Sequence, residues 1–246
     1  MSDDWDFYPL RVDDQPASIF VDLGMGKNAP ITSHATMGYL RVLMRRPRED
    51  GLSSEDEFDD LIALEDRVTA KITQDGTAIF VGRNTSSGNR DFYFYVSDAV
   101  NFDSVAHEVM LEFPAYGYET GAREDRGWQT YFEFLHPSEV DLQRIMNRRV
   151  REQLEKHGDD ANKERKIDHL ALMPSSEAQS LFASYVRAEG FAVENAPDES
   201  NNEAQFRVEF TRVDRLARID EIVIPLFQKI AELGGEYDGW GCVASP

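Results

Sequence analysis

Residues 77–97 read TAIFVGRNTSSGNRDFYFYVS. Two runs rich in branched and aromatic side chains flank the polar cluster NTSSGN, the pattern of a strand–turn–strand hairpin. On its N-terminal side, SSEDEFDDLIALEDRVTAKI spaces Phe58, Leu61, Ile62, Val68 and Ile72 as one face of a helix, with Ser54 and Glu57 at capping-box positions. On its C-terminal side a second helix is expected over 101–113, with Phe102, Val105, Ala106, Val109 and Phe113 on one face. A strand at HATMGYLRVLMRRP precedes the first helix, and strands at YGYET and WQTYFEFL are expected to follow the second. The order strand, helix, strand, strand, helix, strand is the split βαβ arrangement of ferredoxin-like folds. Ahead of it, WDFYPLRV and PASIFVDL around DDQ predict one further hairpin.

Beyond Pro137 the grammar restarts. Ser138 with Asp141 opens a capped helix, SEVDLQRIMNRRVREQLEKHG, carrying Leu142, Ile145, Met146, Val150 and Leu154 as an apolar stripe and Gly158 as its stop. After the connector DDANKER come a strand (KIDHLALM), a helix (SSEAQSLFASYVRAEG) and a strand pair, FAVENA and AQFRVEF, around PDESNNE. The next helix is striped by Ile219, Ile222, Val223, Leu226, Ile230 and Leu233, and Pro225 within it predicts a kink or a late start. The expected fold class is therefore α+β with two ferredoxin-like domains. Residues 1–137 form the first, with its additional N-terminal hairpin, and residues 138–246 the second, in which helix 138–157 precedes a βαββαβ unit. No residue-level repeat links the halves.

Charge narrows the class of partner. The 246 residues carry a net charge of −20, a field that opposes the cationic contacts phosphate-backbone binding depends on. No direct nucleic-acid contact is expected; a protein with a basic surface is the natural partner, drawn in by the long-range field. Residues 1–137 hold 12 basic against 25 acidic residues and 167–246 hold 6 against 14, whereas 138–166 hold 8 against 7. Arg144, Arg148, Arg149 and Arg151 make the linking helix the basic segment, and docking it between acidic halves is their expected role. The single cysteine, Cys242, excludes an intrachain disulfide and a cysteine-rich metal site. MSDDWDFYPL lacks a signal-peptide pattern and no apolar run reaches ~20 residues, so the expectation is a soluble, cytoplasmic protein without a membrane association.

Catalytic motifs fail on inspection. HEVML begins like a zinc-protease helix at His107 but has Leu111 where the second histidine belongs. GMGKN resembles a phosphate loop only in part, with Val21 and Asn28 at two of the required positions. The acids of EDEFDD fall in the first turn of a helix, where negative charge is stabilised without a cation. No nucleophile-elbow serine or cysteine is present. No cofactor, metal or catalytic residue is expected.

The remaining signal is GGEYDGWG, residues 234–241. Gly234 or Gly235 suits a left-handed helix cap, and strict alternation after it puts Tyr237, Gly239 and Gly241 on one face, leaving a shallow groove beside Tyr237 unless a glycine bulge at Asp238 and Gly239 breaks the parity. Together with REQLEKHGDD, IDHLALMPS and the element order between them, this motif resembles the regulators of ribonuclease E activity B, over about residues 138–246. The resemblance implies a non-enzymatic acidic protein that binds a ribonuclease E-type endoribonuclease and inhibits it. For the motif itself the first expectation is structural, a turn at Gly234 and Gly235 followed by packed aromatics, and the second is a partner contact at Glu236, Tyr237, Asp238, Gly239 and Trp240. Family members commonly continue into an acidic tail beyond the motif, so inhibition that needed such a tail is not expected of this sequence. Residues 5–137 resemble a domain family of unknown function often fused ahead of such regulators. The reading left open beside it is a small-molecule-binding protein or an enzyme with its site between the two domains.

Overall fold

The computed structural model describes residues 2, 4–194 and 206–245, so the expected turn PDESNNE lies outside the described residues. The chain divides into two compact units, Met1–Pro137 and Ser138–Pro246. Both mix helices with an antiparallel sheet, an α+β composition.

In the first unit, among the described residues, six strands run in the order β1-β2-β4-β5-β3-β6. They are β1 (Trp5–Val12), β2 (Gln15–Asp22), β3 (Thr36–Leu43), β4 (Ala78–Ser86), β5 (Asn89–Val96) and β6 (Gly117–Glu124). The β4–β5 hairpin closes at Ser87 and Gly88, both with positive φ (50° and 79°), which matches the right-handed twist of the strands it joins. Helices α1 (Glu55–Ile72) and α2 (Ala99–Met110) cover one face, burying Leu40, Val42, Phe80, Phe92 and Phe94 against Leu61, Leu64, Val68, Phe102 and Ala106. Leu64 takes the core position expected of Phe58, which is 51% exposed.

The expected capping box of α1 does not form. Ser54 makes no side-chain cap bond among the described residues, because the Glu57 carboxylate is turned away to accept the backbone N–H groups of Arg45 and Arg46 at 2.8 and 2.7 Å. Burial opposes its charge, yet these two donors hold Glu57 below the usual carboxylate range. The helix start is thereby tied to the chain leaving β3.

WQTYFEFL is not a strand. Residues Thr130–Leu135 form a helical turn, because Asp125 accepts from the backbone N–H of Gln129 (2.7 Å) and Thr130 (2.9 Å) as well as from the Tyr95 hydroxyl (2.7 Å). These bonds supply the start that a side chain normally gives a helix. The turn folds its aromatics over the second face of the sheet: Trp128 stacks on Tyr95 at 3.8 Å, and the Tyr131 hydroxyl donates to the Asp22 carbonyl at 2.7 Å.

In the second unit, among the described residues, four strands run in the order β10-β7-β9-β8: β7 (Glu164–Met173), β8 (Ala192–Val193), β9 (Phe206–Arg215) and β10 (Glu236–Cys242). Helices α4 (Ser176–Ala188) and α5 (Ile219–Glu232) pack on one face around Phe182, Phe210, Ile222 and Leu226. Helix α5 starts at Ile219, without the delay Pro225 predicts, and is unbroken to Glu232. The linking helix α3 (Glu139–Lys156) does begin in a formed cap, Ser138 Oγ accepting from the Asp141 N–H. Its expected stripe forms only in part: Ile145 is buried and Leu154 packs against the core, but Met146 is 57% and Val150 40% exposed. Buried Gln143 and Asn147 hold the helix instead, through hydrogen bonds. Among the pairs described, Arg144, Arg148 and Arg151 bind Asp141, Glu152 and Glu155 of the same helix.

Candidate functional site

The motif at 234–241 is built from a helix end, a turn and an edge strand. Gly234 sits at φ 72° and ends α5, its N–H donating to the Ala231 carbonyl while that of Gly235 reaches the Ile230 carbonyl, each at 2.9 Å. β10 then pairs with β7 in a register that slips: Tyr237 stands opposite Ala171 and Gly239 opposite Leu170, so Asp238 is an extra residue. Gly239, at φ 133°, absorbs the bulge.

This bulge decides which side chains share a face. Tyr237, Trp240 and Cys242, opposite Ala171, His169 and Ile167, all pack toward the helices. Strict alternation would have separated Tyr237 from Trp240. On the other face lie Glu236, Gly239 and Gly241, opposite Leu172, Leu170 and Asp168. The groove expected beside Tyr237 therefore opens beside Leu170 and Asp168 instead.

The covered aromatics are tied into the unit by polar atoms. Trp240 Nε1 donates to Asn147 Oδ1 at 2.9 Å, Gln143 Nε2 donates to the same oxygen at 2.9 Å, and Asn147 Nδ2 donates to Asp220 at 2.7 Å, joining β10, α3 and α5. The Tyr237 hydroxyl lies 2.8 Å from Nδ1 of His169, whose ring stacks on Phe210 with centroids 5.1 Å apart. Burial pushes the His169 pKa down to about 4, so the imidazole is neutral, and pushes the Tyr237 phenol well above its ordinary range.

The open face holds a groove of about 410 Å³ along β10, β7 and β9. Its rim carries the carboxylates of Asp168, Glu194, Glu209 and Asp238, with Arg207 as the cation among them and Leu170 as an apolar patch. Nothing among the described residues lies within 4 Å of where a Cβ on Gly239 or Gly241 would stand, so the groove is open along β10. Lys166 spans Asp168 (3.2 Å) and Glu194 (2.7 Å), and Arg207 approaches Glu209 at 3.4 Å, loose surface pairs that a cationic ligand can displace. No nucleophile stands beside a general base here; the arrangement suits binding.

Of the residues singled out from sequence, the structure places Glu236, Asp238 and Gly239 on the open face, Tyr237 and Trp240 on the covered face, and Gly234 and Gly235 at the turn. Sequence reasoning missed Asp168, Glu194, Arg207 and Glu209. For Asp168, Arg207 and Glu209 the signal was available in the polar alternates of KIDHLALM and AQFRVEF, which mark a sheet face without a helix over it; Glu194 lies at the end of the short strand in FAVENA. Elsewhere, GMGKN is a 3-10 turn capped by Asp22, and His107 Nδ1 lies 2.8 Å from the Tyr118 hydroxyl. Among the described residues no group of three or more His, Cys, Asp or Glu side chains is placed to hold a metal ion, and no helix is long and apolar enough to cross a membrane.

Comparison with known families gives two matches. Residues 3–136 match the model described as "Family of unknown function (DUF695)", and residues 144–242 match "Regulator of ribonuclease activity B". No curated protein matches the chain. Among solved structures, an unknown protein from Galdieria sulphuraria is 12% identical over 85% of this chain and 99% of its own, with a TM-score of 0.26. A putative glycine cleavage system transcriptional repressor is 8% identical over 85% and 98%, with a TM-score of 0.25. Likeness at that level carries no argument about this chain.

Proposed function

We propose, from the premise that the chain belongs to the family of unknown function DUF695 through residues 3–136 and carries a regulator-of-ribonuclease-activity-B segment at 144–242, that it regulates a ribonuclease by binding it. The match over 144–242 carries this reading, since it spans the segment from α3 to the bulged strand β10. The same reading takes 1–137 and 138–246 as two domains, each a split βαβ of the ferredoxin-like kind, the first extended by the β1–β2 hairpin. The chain acts without catalysis, as an acidic ligand of a ribonuclease E-type endoribonuclease that slows RNA cleavage.

The open face of the second sheet is the contact surface in this proposal. A lysine- or arginine-bearing segment of the ribonuclease lies over Gly239 and Gly241, and its cations meet Asp168, Glu194, Glu209 and Asp238. The net charge of −20 supports fast, salt-sensitive encounter with such a segment. Tyr237 and Trp240 serve the contact from behind, by fixing the strand that carries Asp238 and Gly239.

The test is RNA cleavage by a ribonuclease E-type enzyme with increasing amounts of the full chain, alongside direct binding at two salt concentrations. Saturable inhibition is expected, with binding that weakens steeply as salt rises. The double change Asp168→Lys, Glu209→Lys is expected to weaken binding about tenfold or more, equivalent to about 1.4 kcal/mol, without a change in folding. Unaltered cleavage with no binding at low salt sinks the proposal; inhibition that survives the double change moves it off this face.

A further inference from the structure

Four strands stand at sheet edges among the described residues: β1 and β6 in the first unit, β8 and β10 in the second. An edge strand turns unpaired N–H and C=O groups outward at alternate residues, and proteins commonly blunt it. Three of these four are blunted. β1 carries Pro9 at its middle, which has no N–H to offer; β8 is two residues long; β10 is bent by its bulge at Asp238 and Gly239. β6 has none of these devices. Its eight residues, GYETGARE, pair with β3 without a break in register, from Gly117 opposite Leu43 to Glu124 opposite Thr36, and include neither proline nor lysine.

The side chains of β6 are ordered about Gly121. Tyr118 packs against the helix-covered core, so Glu119 and Arg123, each two residues from Gly121, share the opposite sheet face, and both are exposed. Glu119 stands opposite Arg41 of β3, but that guanidinium is clamped by Asp91 through two bonds of 2.8 Å, and Glu119 forms no ion pair among the described residues. Arg123 spends one N–H on Thr130 Oγ1 at 2.9 Å and meets no carboxylate among the described residues. Between them the Tyr39 ring lies over Gly121, where an added Cβ would stand 2.8 Å from it. An acid, a bare centre and a base therefore follow one another along an open edge.

We propose that β6 is the interface between two copies of this chain, paired antiparallel about a two-fold axis at Gly121. The charges select this occupant and this register. About that axis Glu119 stands opposite the partner's Arg123, and Arg123 opposite the partner's Glu119, so two unpaired charges per copy become two cross-strand ion pairs. With the axis one residue to either side, Arg123 faces Gly117 or Gly121 and Glu119 faces Gly121 or Asp125, so the charges match only at Gly121. On the other face Thr120 meets the partner's Ala122, small side chains that let the helix layers approach. The two Tyr39 rings, each over its own Gly121, come together at the axis, and the two six-stranded sheets continue into one. A charged edge of fixed register pairs once and stops, where an apolar one would aggregate. The inference rests on the first unit alone and is independent of ribonuclease regulation.

The experiment is analytical ultracentrifugation of the full chain over a range of concentrations, at about 0.15 M salt so that the long-range repulsion between two acidic copies is screened. A monomer–dimer equilibrium in the micromolar range is expected. Glu119→Lys and Arg123→Glu each set like charges opposite one another twice, and each is expected to weaken the dimer about tenfold or more with thermal unfolding little changed, both side chains being exposed. The double change Glu119→Lys, Arg123→Glu restores opposite charges at the wild-type net charge and is expected to recover the dimer. An equimolar mixture of the two single variants is expected to recover it as a mixed dimer. If Arg123→Glu, which gives up the bond to Thr130, does not fold, the loss is read from Glu119→Lys alone. A chain that stays monomeric at hundreds of micromolar overturns the proposal. So does a dimer indifferent to the single changes, or a double change that binds no tighter than they do.

Discussion

The two sheets share a strand order, β4-β5-β3-β6 in one and β8-β9-β7-β10 in the other, and each carries helices on one face. They part company on the second face. In the first unit that face presents Ala17, Ile19, Val21 and Tyr95, apolar surface that favours cover, and the helical turn after Asp125 supplies it with Trp128, Tyr131 and Leu135. In the second unit it presents Lys166, Asp168, Glu209 and Arg207 around Leu170, side chains at home in water, and no described element covers it. One topology thus serves two ends: a face that buries aromatics becomes core, and a face that keeps its charges stays available to a partner.

The comparison breaks hardest if the cover turns out to be dispensable. Trp128 is fully buried, stacked on Tyr95, and its Nε1 donates to the His34 carbonyl at 2.9 Å. Trp128→Ala is expected to destabilise the first unit by about 4 kcal/mol, through lost burial and the cavity left behind. Denaturant unfolding followed by a probe in each unit checks this: the first transition moves to lower denaturant and that of the second unit holds. A loss under about 1 kcal/mol means that the turn is ornament on the sheet and the contrast between faces is void.

Acid sharpens the comparison from the other side. His169 is buried in the second unit and neutral, its pKa near 4 against an ordinary 6.5. Above pH 6.5 the folded and unfolded states hold the same protons here and the stability is complete. As pH falls toward 4 the unfolded chain takes up a proton that the folded one refuses, and about 3 kcal/mol is lost from the second unit. In the first unit the shifted acids, Glu57 and Asp125, have lowered pKa values, so their contribution persists above the carboxylate range and fades only below it. Unfolding measured from pH 7 down to pH 4.5 should therefore weaken the second unit first, and His169→Phe should flatten its slope. Parallel slopes in wild type and variant remove His169 as the cause.

Where the sequence was legible, local pattern and tertiary outcome agreed. The hairpin at 77–97, both helices beside it and the strands of the second sheet are written in side-chain periodicity, because burial on one face leaves a period that can be counted. WQTYFEFL misled because aromatic content is shared by strands and by segments that lie across a sheet; what made it helical was Asp125, with acceptors spent on two backbone N–H groups and on Tyr95 thirty residues earlier. The stripe of α3 misled for the opposite reason, since Asn147 and Gln143 anchor it through Trp240 and Asp220, partners distant in sequence. The binding face was half legible: Asp238 and Gly239 stood out in a motif, while Asp168 and Glu209 were ordinary polar alternates until pairing set them beside it.

The smallest expected effects come from two serines with the same signature. Ser54 precedes Glu57 and Ser138 precedes Asp141, yet only the second makes a cap, Ser138 Oγ accepting from the Asp141 N–H and donating to its carboxylate at 2.6 Å. Ser138→Ala is expected to cost about 1 kcal/mol in the second unit. Ser54→Ala is expected to cost next to nothing in the first, because its buried hydroxyl has no partner among the described residues and a methyl group there removes a desolvated dipole without breaking a bond. Thermal unfolding of both variants decides. If the two losses are equal, Ser54 caps α1 after all, Glu57 is free to complete the box, and the anchor from β3 to α1 that sets the helix layer of the first unit has to be sought elsewhere.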